Sequence, residues 1–75
     1  MSHLPQVTPR KMLAALRRAG FVLDRVSGSH HFMAYPGDPS RWATIAMHSG
    51  DIDPRDVFEI LKQAKLSRAA FLKLL

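Results

Sequence analysis

The sequence predicts an α+β domain in which one helix, three strands and a second helix follow in order, with a short helix at the C-terminus. Two stretches carry apolar residues at helical spacing, and each follows a capping residue and a proline, at Thr8-Pro9 and Asp53-Pro54. Three short stretches rich in aromatic and β-branched residues lie between them, separated by turns that contain glycine. An antiparallel three-stranded sheet with the helices on one face is the simplest arrangement that buries the apolar residues of these helices and strands.

The first helix begins at Thr8-Pro9 and is closed by Gly20, which tolerates a left-handed conformation. At 100° per residue, one side of this helix is apolar and carries Met12, Leu13, Leu16 and Ala19. The opposite side is basic and carries Arg10, Lys11, Arg17 and Arg18, with Ala14 among them and no acid. We call these four cations the basic face, and their separation from the apolar side favours contacts to phosphate over a merely solvated surface.

The strands are predicted at residues 21–26, 30–35 and 42–47. The first two are joined by the turn at residues 27–29, and the last two by the proline- and glycine-containing turn at residues 36–40. In the third strand Ala43, Ile45 and Met47 alternate with Trp42, Thr44 and Ala46.

The second helix begins at Asp53-Pro54. Its apolar face carries Val57, Ile60, Leu61 and Ala64. Acids near its start, Asp56 and Glu59, and lysines near its end suit the helix dipole and surface ion pairs. Ser67 is predicted to cap a final short helix that carries Phe71, Leu72 and Leu75.

The composition narrows the class of protein further. Seventy-five residues allow a single domain, predicted over residues 8–75 after a loose leader at 1–7. A net charge of +5 favours a polyanionic partner, most often nucleic acid. The absence of cysteine excludes disulfides, thiolate metal sites and cysteine catalysis, and favours a reducing cytoplasm. No apolar stretch is long enough to span a membrane.

Four histidines are the candidates for chemistry. His3 lies in the predicted leader, and we interpret it as incidental. His30 and His31 are neighbours on a strand, so their side chains point to opposite faces of the sheet, but alternation does not say which of them faces the helices. His48 follows the third strand, where a loop places it near any groove at that edge.

Three interpretations of these histidines compete. A zinc site is disfavoured, because the spacing is poor and no carboxylate or thiolate completes a ligand set, so we expect no metal. A structural role is the simplest interpretation, particularly for His31. The third interpretation is metal-free RNA cleavage, in which an imidazole removes the proton of a 2′-hydroxyl that attacks the adjacent phosphorus. Arginine or lysine then stabilises the charge on the phosphoryl oxygens.

From residue 9 to residue 75 the chain resembles the HicA toxins of type II toxin–antitoxin systems. The resemblance is carried by short elements at 16–21 (Leu-Arg-Arg-Ala-Gly-Phe), 28–31 (Gly-Ser-His-His), 44–48 (Thr-Ile-Ala-Met-His) and 60–64 (Ile-Leu-Lys-Gln-Ala). The resemblance implies a fold like that of the double-stranded-RNA-binding domain. It also implies a cofactor-free, metal-independent endoribonuclease that cleaves mRNA and blocks translation, and a HicB-type antitoxin that masks the active site.

The resemblance also implies roles for particular residues. The histidine after Gly-Ser is the catalytic one in the family, and here it is His30. Gly28 would permit the turn, and Ser29 would orient the imidazole or contact phosphate. His48 is either a supporting residue of the active site or a structural one.

The surface residues leave further alternatives open. We expect the basic face of the first helix, Arg10, Lys11, Arg17 and Arg18, to bind the RNA backbone, with Arg25 and Arg41 as secondary contributors. Trp42 and Tyr35 either stack on bases or pack in the core. A non-catalytic RNA-binding module and a protein-interaction module are the alternative functions, and the oligomeric state stays open.

Overall fold

The computed structural model describes residues 4–75 and confirms the predicted α+β fold. Its elements are α1 (Pro9–Arg18), β1 (Val22–Ser27), β2 (His30–Ala34), β3 (Trp42–Ala46), α2 (Pro54–Ala64) and α3 (Arg68–Leu74). The sheet is antiparallel with the order β1-β2-β3, so β2 is the central strand. His3, which the sequence places in a leader, lies outside the described residues.

Both long helices begin as the sequence predicts. The Thr8 hydroxyl accepts a hydrogen bond from the Lys11 backbone N–H at 3.2 Å, and Pro9 occupies the first turn of α1. The Asp53 carboxylate accepts one from the Arg55 backbone N–H at 2.8 Å at the start of α2. These bonds satisfy N–H groups that have no partner within the helix.

A left-handed glycine ends α1 and turns the chain into the sheet. The helix ends at Arg18, and Gly20 has φ +105°, a conformation that favours glycine. The backbone N–H of Phe21 then donates to the Leu16 carbonyl at 3.0 Å. A side chain at position 20 would meet the ring of Tyr35, whose Cε1 would lie 3.3 Å from the added Cβ. Gly20 therefore permits both the turn and this close approach.

Burial of alternate residues defines two faces of the sheet. Met33, Ala43 and Ile45 are buried against the helices, and we call their side the inner face. A bulge between Leu23 and Arg25 shifts the β1–β2 register, so that Arg25 pairs with Phe32. The outer face, which the alternation places opposite, consists of Val22, Arg25 and Ser27 on β1, His30, Phe32 and Ala34 on β2, and Trp42, Thr44 and Ala46 on β3.

The segment before α1 contributes to the core. Val7 is only 1% exposed, and its carbonyl accepts a hydrogen bond from the Ile52 backbone N–H at 2.8 Å. The loose leader predicted at 1–7 therefore does not extend to Val7, which joins the apolar cluster that the helical stripes and the inner face form. For residues 1–3 the leader stays a prediction.

The helices cover the sheet unevenly. α1 and α2 both pack against β3, and α3 packs against α1. β1 is exposed along its whole length, so that even its inward residues Leu23 and Val26 are 39% and 51% exposed. None of the helices within residues 4–75 combines the length and the hydrophobicity of a membrane span.

We predict that Gly20→Ala lowers the free energy of unfolding by about 1–3 kcal/mol, because the left-handed backbone is strained for alanine and the methyl group crowds Tyr35. Urea denaturation measures the change. Gly37→Ala is the matched control, since Gly37 also has a positive φ, +86°, but nothing lies within 4 Å of an added Cβ. Equal losses in the two variants would show that the Tyr35 contact contributes nothing.

Candidate active site

A tight hairpin turn positions His30 at the start of the central strand. Ser27 and His30 are the last pair of the β1–β2 ladder, and only Gly28 and Ser29 connect them. Gly28 adopts φ +57°, as a turn of this length requires. The Ser29 carbonyl accepts a hydrogen bond from the Met47 backbone N–H at 2.7 Å, which ties the turn to the end of β3. Backbone contacts from both neighbouring strands thus hold the segment that carries His30.

The structure resolves which of the two adjacent histidines faces outward. Met33 is 2% exposed on the inner face, so alternation places His31 on that face and His30 on the outer face. His30 is exposed, whereas His31 is partly buried with its Nδ1 shielded from solvent. His30 is therefore the histidine of this pair that a large substrate can reach.

His30 lines a cavity of about 260 Å³ between the sheet and α2. The sheet contributes Thr44 and Ala46 beside His30, and the loop after β3 contributes His48. Ala46 is the direct cross-strand neighbour of His30 on β3, and its small side chain leaves the space between the imidazole and α2 open.

The wall of the cavity on the α2 side is polar. Asp56, Glu59 and Gln63 line it, one helical turn apart, above Ile52 and Ile60. The Gln63 side-chain oxygen accepts a hydrogen bond from the Thr44 backbone N–H at 3.2 Å, which fixes α2 against the edge of β3. From the sequence, Asp56 and Glu59 are predicted only to suit the helix dipole and to form surface ion pairs. A helical wheel shows that they share a side of α2 but not which strand that side faces.

His48 has a defined tautomer when it is neutral. Its Nδ1 lies 2.9 Å from the Ser49 carbonyl oxygen. A carbonyl oxygen only accepts, so Nδ1 carries the hydrogen and Nε2 is left as an acceptor. His48 thus brings a second imidazole to the cavity that His30 lines, although the two residues are 18 positions apart in the chain.

The basic face of α1 does not reach this cavity. None of Arg10, Lys11, Arg17 and Arg18 lines it. The apolar side of α1 packs toward the inner face of the sheet, so its basic face points away from the sheet, on the side opposite to His30. Arg18 also donates to the Leu74 carbonyl at 2.7 Å, which links α1 to α3. The structure therefore separates the predicted phosphate-binding face from the predicted catalytic histidine.

The two secondary arginines have different environments. Arg41 donates from Nε to the Ala64 carbonyl at 2.9 Å, and its guanidinium lies 4.0 Å from the centre of the Tyr35 ring. Phe21 packs edge-on against the same ring, so Tyr35 and Arg41 belong to the packing between the sheet and the end of α2. Arg25 instead lies on the outer face, with its guanidinium 4.2 Å from the centre of the Phe32 ring.

Hydrogen bonding at the start of α2 lowers the pKa of a carboxyl near the site. The Arg55 side chain, and then its backbone N–H, donate to Asp53 and hold the pKa of this carboxyl below its usual value. The Asp53 carboxylate in turn caps the helix that carries Asp56 and Glu59. Within residues 4–75, no three histidine or acidic side chains come together as a metal-binding group.

The fold and the site together define a small basic α+β domain with an exposed histidine beside a polar cavity. The family model described as the HicA toxin of bacterial toxin–antitoxin systems matches residues 9–66. Because this match covers most of the chain, the protein belongs to the HicA toxin family and is the toxin component of a toxin–antitoxin pair. None of the curated proteins compared with the chain matches it significantly.

We predict that Asp53→Asn makes the melting temperature depend less on pH under acidic conditions. Because the pKa of Asp53 is lowered in the folded state, its ionised form stabilises the fold above the usual pKa, 3.8, and this contribution is lost as the pH falls through the lowered pKa. Asparagine still caps a helix but does not titrate. Thermal melting between pH 2 and pH 6 measures the difference. If the melting temperatures of parent and variant changed with pH in parallel, ionised Asp53 would not stabilise the fold.

Proposed function

We propose that this toxin is a metal-independent endoribonuclease that cleaves mRNA, with His30 as the residue that moves the proton. The observation that carries the proposal is the position of His30, whose exposed imidazole lies at a cavity open to a large substrate. The family membership supports the toxin role, and the Gly28-Ser29-His30 element is the part of the sequence that resembles the family's catalytic motif.

The reaction needs a base and an acid on the two sides of one phosphorus. The base takes the 2′-hydroxyl proton, and the oxygen attacks the adjacent phosphorus. The bond to the 5′-oxygen of the next nucleotide then breaks, and the acid protonates that oxygen. The products are a 2′,3′-cyclic phosphate and a free 5′-hydroxyl. This route needs no metal and no bound cofactor, and it requires RNA because DNA lacks the attacking hydroxyl.

Two assignments of the proton transfers fit the cavity. His30 can act alone, with water returning the proton, or His48 can act as the partner of His30. The Nε2 atom of neutral His48 is available for a proton, because its Nδ1 is engaged with the Ser49 carbonyl. Ser29 supports the site through its carbonyl bond to Met47, and Gly28 through its left-handed turn.

The charge distribution supports an RNA substrate at longer range. With a net charge of +5, the chain attracts a polyanion before contact. The basic face of α1 lies opposite to His30, so we assign it to holding flanking backbone or to this general attraction rather than to the scissile phosphate. We further propose a HicB-like antitoxin as the protein partner that masks the cavity, and the cytoplasm, where mRNA is translated, as the place of action.

We predict that the purified chain cleaves RNA in the presence of EDTA and that His30→Asn abolishes this cleavage. A loss of about 100-fold or more is expected, since general acid–base catalysis contributes 10²–10⁴-fold. Gel analysis of a labelled RNA measures the rate, and treatment of the products with acid and phosphatase identifies the cyclic phosphate.

His31→Phe is the matched control for this experiment, because His31 neighbours His30 but lies on the inner face. It should retain cleavage. An unchanged rate in His30→Asn would exclude His30 as the catalytic residue. Binding without cleavage by the parent chain would instead support the non-catalytic RNA-binding module.

Expression in bacterial cells gives an independent prediction. The parent chain should arrest growth and stop incorporation of labelled amino acids, because cleaved mRNA is not translated. His30→Asn should permit growth at equal protein level, as judged by immunoblot. Arrest by both forms would show that toxicity does not depend on cleavage and would favour the protein-interaction alternative.

A further inference from the structure

The outer face of the sheet combines an exposed aromatic ring with a cation on the same surface as His30. Trp42 is 45% exposed, although tryptophan is usually among the more buried residues. Its direct neighbour on β2 is Ala34, whose side chain is small, and Val22 lies beyond it on β1. Among the described residues the helices pack toward the inner face, and α2 borders the outer face only at the cavity beside Thr44 and Ala46, away from Trp42. One side of the indole is thus accessible from solvent.

Arg25 is held on this face by an aromatic contact rather than by an acid. Its guanidinium lies 4.2 Å from the centre of the Phe32 ring, and within residues 4–75 it forms no ion pair. A cation–π contact orders the side chain while leaving the guanidinium N–H groups available to an anion. Arg25 is therefore placed to bind a negatively charged ligand.

The strand register connects these groups to His30. Phe32 is two residues from His30 on β2, about 7 Å along the strand and on the same face. Arg25 pairs with Phe32 and Ser27 pairs with His30, so Arg25 is the diagonal neighbour of the imidazole. Trp42 pairs with Ala34 on β2, and Ala34 lies four residues, about 13 Å, along the strand from His30. A single extended strand of a few nucleotides matches this span.

We propose that the outer face of the sheet binds single-stranded RNA, with one base stacked on Trp42 and a phosphate held by Arg25, so that the strand leads to His30. An accessible ring binds an unpaired base through its π-face, whereas the bases of a duplex are already stacked on one another. The cation beside the ring matches the charge of the backbone. We call this RNA-binding surface, with Trp42 and Arg25 on it, the platform. It rests on the proposed function only for the role of His30, because the binding itself needs no cleavage.

Charge favours RNA over a protein as the occupant. The large exposed apolar side chains on this face are Trp42 and Val22. Arg25, which has no acidic partner among residues 4–75, lies between that pair and His30. A site of this kind is typical of surfaces that bind single-stranded nucleic acid through stacking and phosphate contacts. The acids of α2, Asp56 and Glu59, line the cavity at the His30 end of the face, which neither Trp42 nor Arg25 lines.

The fluorescence of Trp42 tests the proposal directly, because it is the only tryptophan in the chain. The probe is an RNA oligonucleotide methylated at every 2′-hydroxyl, which this chemistry cannot cleave. Adding it single-stranded to the full chain should quench the emission, and the same sequence as a duplex should quench it much less. No quenching at RNA concentrations that saturate binding would overturn the proposal and leave the face to a protein partner.

Variants then measure the contribution of each group. Trp42→Ala should weaken binding of the single strand by roughly 10-fold or more, and Trp42→Phe should restore most of the affinity because it keeps a ring. Arg25→Gln should weaken binding. It should also reduce the slope of log affinity against log salt concentration by about one, which corresponds to the loss of one phosphate contact. Phe58→Ala is the matched control, since Phe58 is 49% exposed but lies on α2, and it should bind normally. Equal affinity in all variants would contradict the platform.

Failure of the platform and failure of the proposed function give different results. Cleavage of unmodified RNA without quenching of Trp42 would overturn the platform and keep the endoribonuclease. Quenching with no cleavage would keep the platform and overturn the catalytic proposal.

Discussion

The packing of Met33 and Ile45 against the helices sets which side of the sheet is buried and which is exposed. Once these side chains are buried, the pleat of the strands fixes every other side chain of β2 and β3 on one face or the other. A register slip of one residue would bury His30 and expose the core. The exposure of His30, the inward position of His31 and the position of Trp42 on the outer face all follow from this one contact surface.

The uneven cover of the sheet determines where a site forms. α2 packs on β3, the edge strand, and Gln63 binds the Thr44 backbone there, so polar side chains of α2 reach the border of the outer face. The small side chain of Ala46 keeps this border open. A cavity with an imidazole on one wall and carboxylates on the other therefore arises at an edge of the sheet, in a chain of 75 residues.

Much of the architecture follows from local signals in the sequence. Thr8-Pro9 and Asp53-Pro54 mark both long helices because a side-chain acceptor and a proline satisfy the first turn whatever lies around it. Gly28 marks the hairpin for a similarly local reason. Val7 and the bulge after Leu23 were not predicted, because a buried position before a helix and an extra residue in a strand depend on distant partners, here Ile52 and the β2 register.

Local patterns in the sequence are enough to predict the order of the elements, the two-sided character of α1 and the Gly-Ser-His element that carries the family resemblance. The packing of the elements shows which adjacent histidine is exposed, that His48 and the α2 acids share a cavity with His30, and that the basic face of α1 points to the opposite side. The physical reason is that periodicity fixes which residues share a face of one element. Which face meets another element is decided by the packing of the common core.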